Sequence, residues 1–168
     1  MSASSGADAG EHRQAIEKSS LGNVRGQSPV EQPPGLEGHC KEPKWFLRDW
    51  SGLTDDGARA ETLVACHLLK AVEGWTDLGF GDYRLCYVRY KQKREVDFLV
   101  VRNRKPWFLV EVKTRDVNLS PALTHFQAQT QAACAFQVVM DLPFEPADRF
   151  LARRPVVVPA RTFLSQLL

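Results

Sequence analysis

The chain has 168 residues and a net charge of +2. Its first 40 residues hold 11 of the AVILMFWYC set and no aromatic side chain, whereas the remaining 128 hold 62 and all 16 aromatics. That split excludes one domain filling the whole length, since a Gly/Ser/Pro-rich stretch without aromatics buries too little apolar surface to offset its ordering entropy. The lack of any run near ~18 apolar residues excludes a membrane-spanning helix.

Charge divides as −2 over residues 1–40 and +4 over the rest. A mildly basic domain is compatible with a nucleic-acid partner but does not argue for one. The four cysteines, Cys40, Cys66, Cys86 and Cys134, show no CxxC spacing and no zinc or disulfide framework. The expectation is a reduced, cytoplasmic protein with mostly buried thiols. The N-terminus has no apolar h-region, so no signal peptide is read.

In chain order, residues 1–40 are predicted to form a disordered tail, closed by the linker-like Pro33-Pro34-Gly35. Lys44-Trp45-Phe46-Leu47-Arg48-Asp49-Trp50 begins the domain, taken as residues 43–168, and its aromatics are expected beneath a sheet. Thr54 or Asp55 caps a first helix running to about Glu73. Ala58, Val64, Ala65, Leu68, Leu69 and Val72 form its apolar stripe, and Gly74 is expected to end it.

Three strands follow, over residues 83–90, 95–102 and 107–113. Short polar turns at 91–94 and 103–106 join them, which predicts an antiparallel meander. Ser120-Pro121 starts a second helix to about Ala133. Residues 136–140 read as a strand buried on both faces, 143–153 as loop, 155–158 as a short strand and 161–168 as a terminal helix. The order is α-β-β-β-α-β with a β-α extension, an α/β fold with a mixed sheet.

Strand alternation places Glu95, Asp97, Leu99 and Val101 on one face of the second strand. It places Trp107, Leu109, Glu111 and Lys113 on one face of the third. Both strands are otherwise strongly apolar. A carboxylate within such a run is costly unless it is paired, hydrogen-bonded or metal-bound. Two converging carboxylates repel, and a divalent cation relieves that repulsion; Mg²⁺ takes one or two carboxylates and keeps water. Glu61 adds a third carboxylate. It sits inside the apolar stripe of the first helix, too far along for a first-turn role like that of Asp55 and Asp56.

Glu61 on a first helix, Asp97 in Glu-Val-Asp and Glu111-x-Lys113 on the next strand resemble the PD-(D/E)XK nuclease superfamily, whose restriction-endonuclease-like core has the α-β-β-β-α-β order. With Lys44-Trp45-Phe46 and Gly57-…-Glu61, the pattern looks most like the C-terminal nuclease-like domain of bacterial and archaeal AAA-type ATPases, carried as a domain of unknown function. The resemblance implies that Asp97, Glu111, the Val112 carbonyl and Glu61 bind Mg²⁺ or Mn²⁺, with Glu95 behind them. It implies that Lys113 positions water or stabilises a pentavalent phosphate. Nucleic acid and an ATPase domain or subunit are the implied partners, and no membrane. Val96 stands where the superfamily has proline, and no Gln-x-x-x-Tyr follows on the second helix, where Gln127 and Gln131 are expected to form one polar face. No G-x-x-x-x-G-K-[ST] loop occurs, so the chain carries no ATP site.

The alternatives are a catalytically inactive regulatory or interaction module of an ATPase, and a truncated ATPase fragment. The basic residues Arg84, Arg89, Lys91, Lys93, Arg94, Arg102, Arg104 and Lys105 read either as solvated turns or as a phosphate-tracking rim. His67 and His125 read as ordinary helix positions.

Overall fold

The computed structural model describes residues 54–89 and 95–167. The predicted tail over 1–40, the aromatic segment 44–50 and the basic turn 91–94 lie outside them.

Helix α1 spans Asp56–Asp77. The Asp55 carboxylate caps it, accepting from the Ala58 N–H at 2.6 Å, and Asp56 in the first turn complements the helix dipole. The helix runs through Gly74, where it was expected to stop. Gly74 faces open space, and the next residue, Trp75, packs on Tyr83 and Trp107 with centroids 5.1 and 5.4 Å away. That packing offsets the helical cost of one glycine, about 1 kcal/mol. The chain leaves the helix at Gly79, whose φ of +78° suits glycine.

Strands β1 Tyr83–Arg89, β2 Glu95–Arg102 and β3 Lys105–Lys113 form the antiparallel meander. The turn into β3 is only Asn103-Arg104, both at positive φ (50° and 65°), the pattern of a type I′ hairpin turn. β3 therefore starts two residues before the expected Trp107. Helix α2 Pro121–Thr130 carries the chain to β4 Cys134–Val139, which pairs parallel to β3. A 3₁₀ turn at Arg149–Leu151 precedes β5 Val156–Pro159, parallel to β4, and helix α3 Ala160–Ser165 follows. The sheet order is β1-β2-β3-β4-β5. The α-β-β-β-α-β order and mixed sheet expected from the sequence are observed.

The two faces of the sheet build separate cores. Val64, Leu68 and Val72 of α1 and Phe163 of α3 pack on Phe98, Val100, Phe108, Val110, Phe136 and Val138. Leu123 and Phe126 of α2 pack on Val96, Leu99, Val101, Leu109 and Ala135. All six residues of β4 are buried, as a strand covered on both sides requires.

Two bulges break the alternation read from the sequence. The β1–β2 register shifts between Cys86 and Val88, and Val96 joins Leu99 and Val101 on the α2 side. Phe98 and Val100 lie on the α1 side, so the period of two is broken between Val96 and Phe98, beside Asp97. The β2–β3 register shifts between Val100 and Val101, opposite Pro106, which cannot donate to a ladder. Trp107 consequently packs with the α1-side aromatics rather than with Leu109.

Candidate active site

The C-terminal half of β3 holds the chemistry. Val110 and Val112 face the α1-side core, so Glu111 and Lys113 project from the other face, two residues apart. Glu111 is buried, and Lys113 Nζ lies 2.8 Å from its Oε1. Partial burial of Lys113 acts to lower its pKa. Its hydrogen bond to Glu111, and the charges of Glu111, Asp97 and Asp116, outweigh that and hold it above the ordinary lysine value. The ammonium thus stays charged with three carboxylates within electrostatic reach.

Asp97 reaches this cluster by a specific route. The β2–β3 ladder runs from Arg102 and Lys105 to Phe98 and Val110. One residue beyond, a side chain rather than a strand carbonyl takes up the next N–H: Asp97 Oδ2 accepts from the Val112 N–H at 2.8 Å. A carboxylate accepting a backbone N–H is fixed in direction. Asp97 and Glu111-Val112-Lys113, separate in sequence, are therefore tied to one stretch of β3.

One residue of this neighbourhood escaped sequence reading. Gln137 on β4 is the register partner of Glu111 and is fully buried. Its Oε1 accepts from the Ser120 N–H at 2.8 Å, and its Nε2 donates to the carbonyls of Asp116 and Asn118, both at 2.9 Å. The amide pins the loop that leaves β3 and enters α2. That loop carries Asp116, whose pKa is lowered by hydrogen bonds from the Asn118 backbone N–H and side chain, with Lys113 adding to the effect. The available signal was a lone amide within the apolar run Phe136-Gln137-Val138-Val139, since a buried polar group needs partners.

Glu61 stands half-buried on α1, the helix that covers the opposite sheet face, and its Oε1 is shielded from solvent, as is Oε2 of Glu111. Among the described residues, no three of His, Cys, Asp and Glu stand close enough together to hold a metal ion. Gln127 is not on a free polar face with Gln131: its Nε2 donates to the carbonyls of Ala132 and Arg153, both at 3.2 Å, tying the end of α2 to the loop before β5. His67 and His125 are exposed on helices, and His67 Nδ1 bonds the Leu63 carbonyl at 3.0 Å.

Four of the basic residues, Arg84, Arg102, Arg104 and Lys105, lie away from the cluster, whereas the Arg89 backbone pairs with that of Glu95 at its end of the sheet. Arg84 pairs with Asp82 at 3.2 Å, and the Arg102 guanidinium lies 5.5 Å from the Tyr83 ring centroid and 5.7 Å from that of Trp107. Arg104 and Lys105 are exposed at the hairpin turn. At ~3.3 Å per residue, Lys105 is roughly 26 Å along β3 from Lys113. Lys91, Lys93 and Arg94 lie outside the described residues.

Beside the cluster, an open cleft of about 370 Å³ separates α1 from the C-terminal ends of the two parallel strands. Arg59 and Leu63 line it from the helix, and Thr114, Arg115, Met140 and Asp141 from the strand ends. Arg115 Nε pairs with Asp141 at 2.7 Å across its mouth. Backbone bonds from Met140 N–H to the Lys113 carbonyl and from Asp141 N–H to the Thr114 carbonyl, at 3.0 and 3.1 Å, hold the two ends together.

A family profile described as "Domain of unknown function (DUF4143)" matches residues 56–160. The chain belongs to this family. The DUF4143 span opens on the first residue of α1 and closes on the first of α3. It therefore contains all five strands, together with Glu61, Asp97, Glu111, Lys113 and Gln137. Comparison with curated proteins and with solved structures gave no match. Among the described residues no helix is long and apolar enough to cross a membrane.

Proposed function

We propose that this DUF4143 chain is a PD-(D/E)XK-type nuclease module that hydrolyses phosphodiester bonds of nucleic acid with Mg²⁺ or Mn²⁺. The observation that carries the reading is the Lys113–Glu111 pair at 2.8 Å, with the Asp97 carboxylate held on the intervening Val112 amide. The donor chemistry fits the ion. Two hard carboxylates suffice for Mg²⁺, which completes its shell with water, substrate phosphate and backbone carbonyl oxygen. Asp97, Glu111 and the Val112 carbonyl would hold it. When bound, the ion would acidify a water and offset phosphate charge.

The chain's own residues do the rest. Lys113, kept protonated by the surrounding carboxylates, offers a cation to the developing negative charge on a phosphate. Glu111 orients that ammonium, and Val112 orients Asp97. Leu109, two residues before Glu111 on the same strand face, is fully buried, so the apolar core begins next to Glu111. The test is incubation of the full chain with DNA and RNA in Mg²⁺ or Mn²⁺. Cleavage should stop with chelator and fall about 10²-fold or more in D97N, E111Q and K113M.

A second reading is favoured by one feature: Glu111 already has an internal cation in Lys113. The cluster would then be an ion-paired relic within a non-catalytic module that partners an ATPase, as the sequence resemblance suggests. Absence of cleavage, together with absence of calorimetric metal binding, would reject the nuclease reading and leave this one.

A further inference from the structure

The cleft between α1 and the ends of β3 and β4 is used by none of the roles above. It opens where ligands commonly enter α/β sheets, outside the carboxyl ends of parallel strands. Its floor is apolar, from Ala60, Leu63 and Met140, and its mouth carries two guanidinium groups from opposite walls, Arg59 and Arg115. Each has an acidic neighbour: Arg59 Nη1 lies 3.6 Å from Asp56 Oδ1, and Arg115 Nε lies 2.7 Å from Asp141 Oδ2. Both pairs are solvated, and the Arg115 side chain is 83% exposed. The exposed Arg115–Asp141 pair contributes little to stability, so an incoming anion can replace Asp141 at small cost. A guanidinium also matches a phosphate oxygen pair in geometry.

Arg115 is two residues beyond Lys113, on the same strand exit. Two residues are about 7 Å of strand, so a polynucleotide held at Arg115 passes the end of β3 from which Lys113 projects. We infer that the cleft is the binding groove for the phosphodiester strand flanking the reacting bond, with Arg115 as its principal phosphate contact, Asp141 as the resting counter-ion of Arg115, and Arg59 on the facing helix wall. The apolar floor would take a sugar or base face. The inference rests on the nucleic-acid substrate proposed above, but it concerns binding rather than cleavage.

The experiment separates the two. Binding of fluorescein-labelled DNA and RNA oligonucleotides to the full chain is followed by anisotropy in EDTA, where no cleavage occurs. R115Q should weaken binding about five- to tenfold and lower the slope of log K against log salt by about one, the signature of one lost phosphate contact. D141N, which frees Arg115, should tighten binding. Binding by the parent that is unchanged in R115Q and R59Q overturns the groove, whatever the cleavage result. Equal weakening in R115Q and D141N also overturns it, because the ion pair would then act only by holding the strand ends. Arginine-dependent binding without cleavage supports the groove and rejects only the nuclease reading. A parent that neither binds nor cuts rejects both.

Discussion

On the α1 side, the sheet buries an aromatic cluster in which the rings of Phe108, Phe136, Phe150 and Phe163 meet at centroid distances of 4.9 to 6.3 Å. On the α2 side the same strands bury Leu99, Leu109, Leu123 and Phe126, then admit Gln137 and Glu111 towards their C-terminal ends. One face has volume to fill and few hydrogen bonds to satisfy. The other accepts polar groups only where partners are supplied, three for Gln137 and an ammonium for Glu111. Stability and chemistry are thus drawn from opposite faces of a single sheet, and substitutions should separate them.

The largest stability loss should come from the apolar face. Phe136→Ala removes a fully buried ring that touches Phe108, Phe150 and Phe163, and should cost about 3–5 kcal/mol in urea unfolding. A loss below about 1 kcal/mol would mean that the aromatic cluster is not the principal core. Next comes Gln137→Leu, which keeps volume but strands two loop carbonyls and one N–H. It should cost about 2–3 kcal/mol and speed amide exchange in the 116–120 loop while α1-side strands stay protected. Uniform acceleration across the sheet would contradict the division between faces.

Lys113→Met probes the charge cluster itself. The folded-state pKa of Lys113 is raised, so its contribution to stability is complete below the ordinary value of 10.5 and fades as pH climbs through the raised value. The parent should therefore lose stability more steeply than K113M above pH 10.5. Parallel curves would show that the ammonium gains nothing from its carboxylates in the folded state. The smallest effect belongs to Arg115→Ala, a solvated pair whose loss should change unfolding free energy by less than about 1 kcal/mol. A larger change would assign Arg115 a structural role at the strand ends.

Much of this was legible from local pattern. The apolar stripe of α1, the three meander strands and the β4 run have periods that hold regardless of context. Glu111 and Lys113 were legible as a pair because two residues along a strand share a face. Less legible were features that depend on a partner. Gly74 reads as a helix stop until Trp75 finds Tyr83 and Trp107. Trp107 reads as a neighbour of Leu109 until Pro106 forces a bulge. Gln137 reads as an ordinary strand residue until the 116–120 loop folds against it, and Gln127 reads as surface until the chain returns at Arg153.

By itself, the sequence determined the order of elements, the division near residue 40 in aromatic content and the set of carboxylates that burial would make costly. These follow from side-chain periodicity and composition, which are local. Only the tertiary structure decided which faces meet, that Asp97 is bound to the Val112 amide, and that Gln137 anchors the loop beside Lys113. Those outcomes depend on register shifts and long-range hydrogen bonds, and a one-residue shift at a bulge re-aims every side chain beyond it.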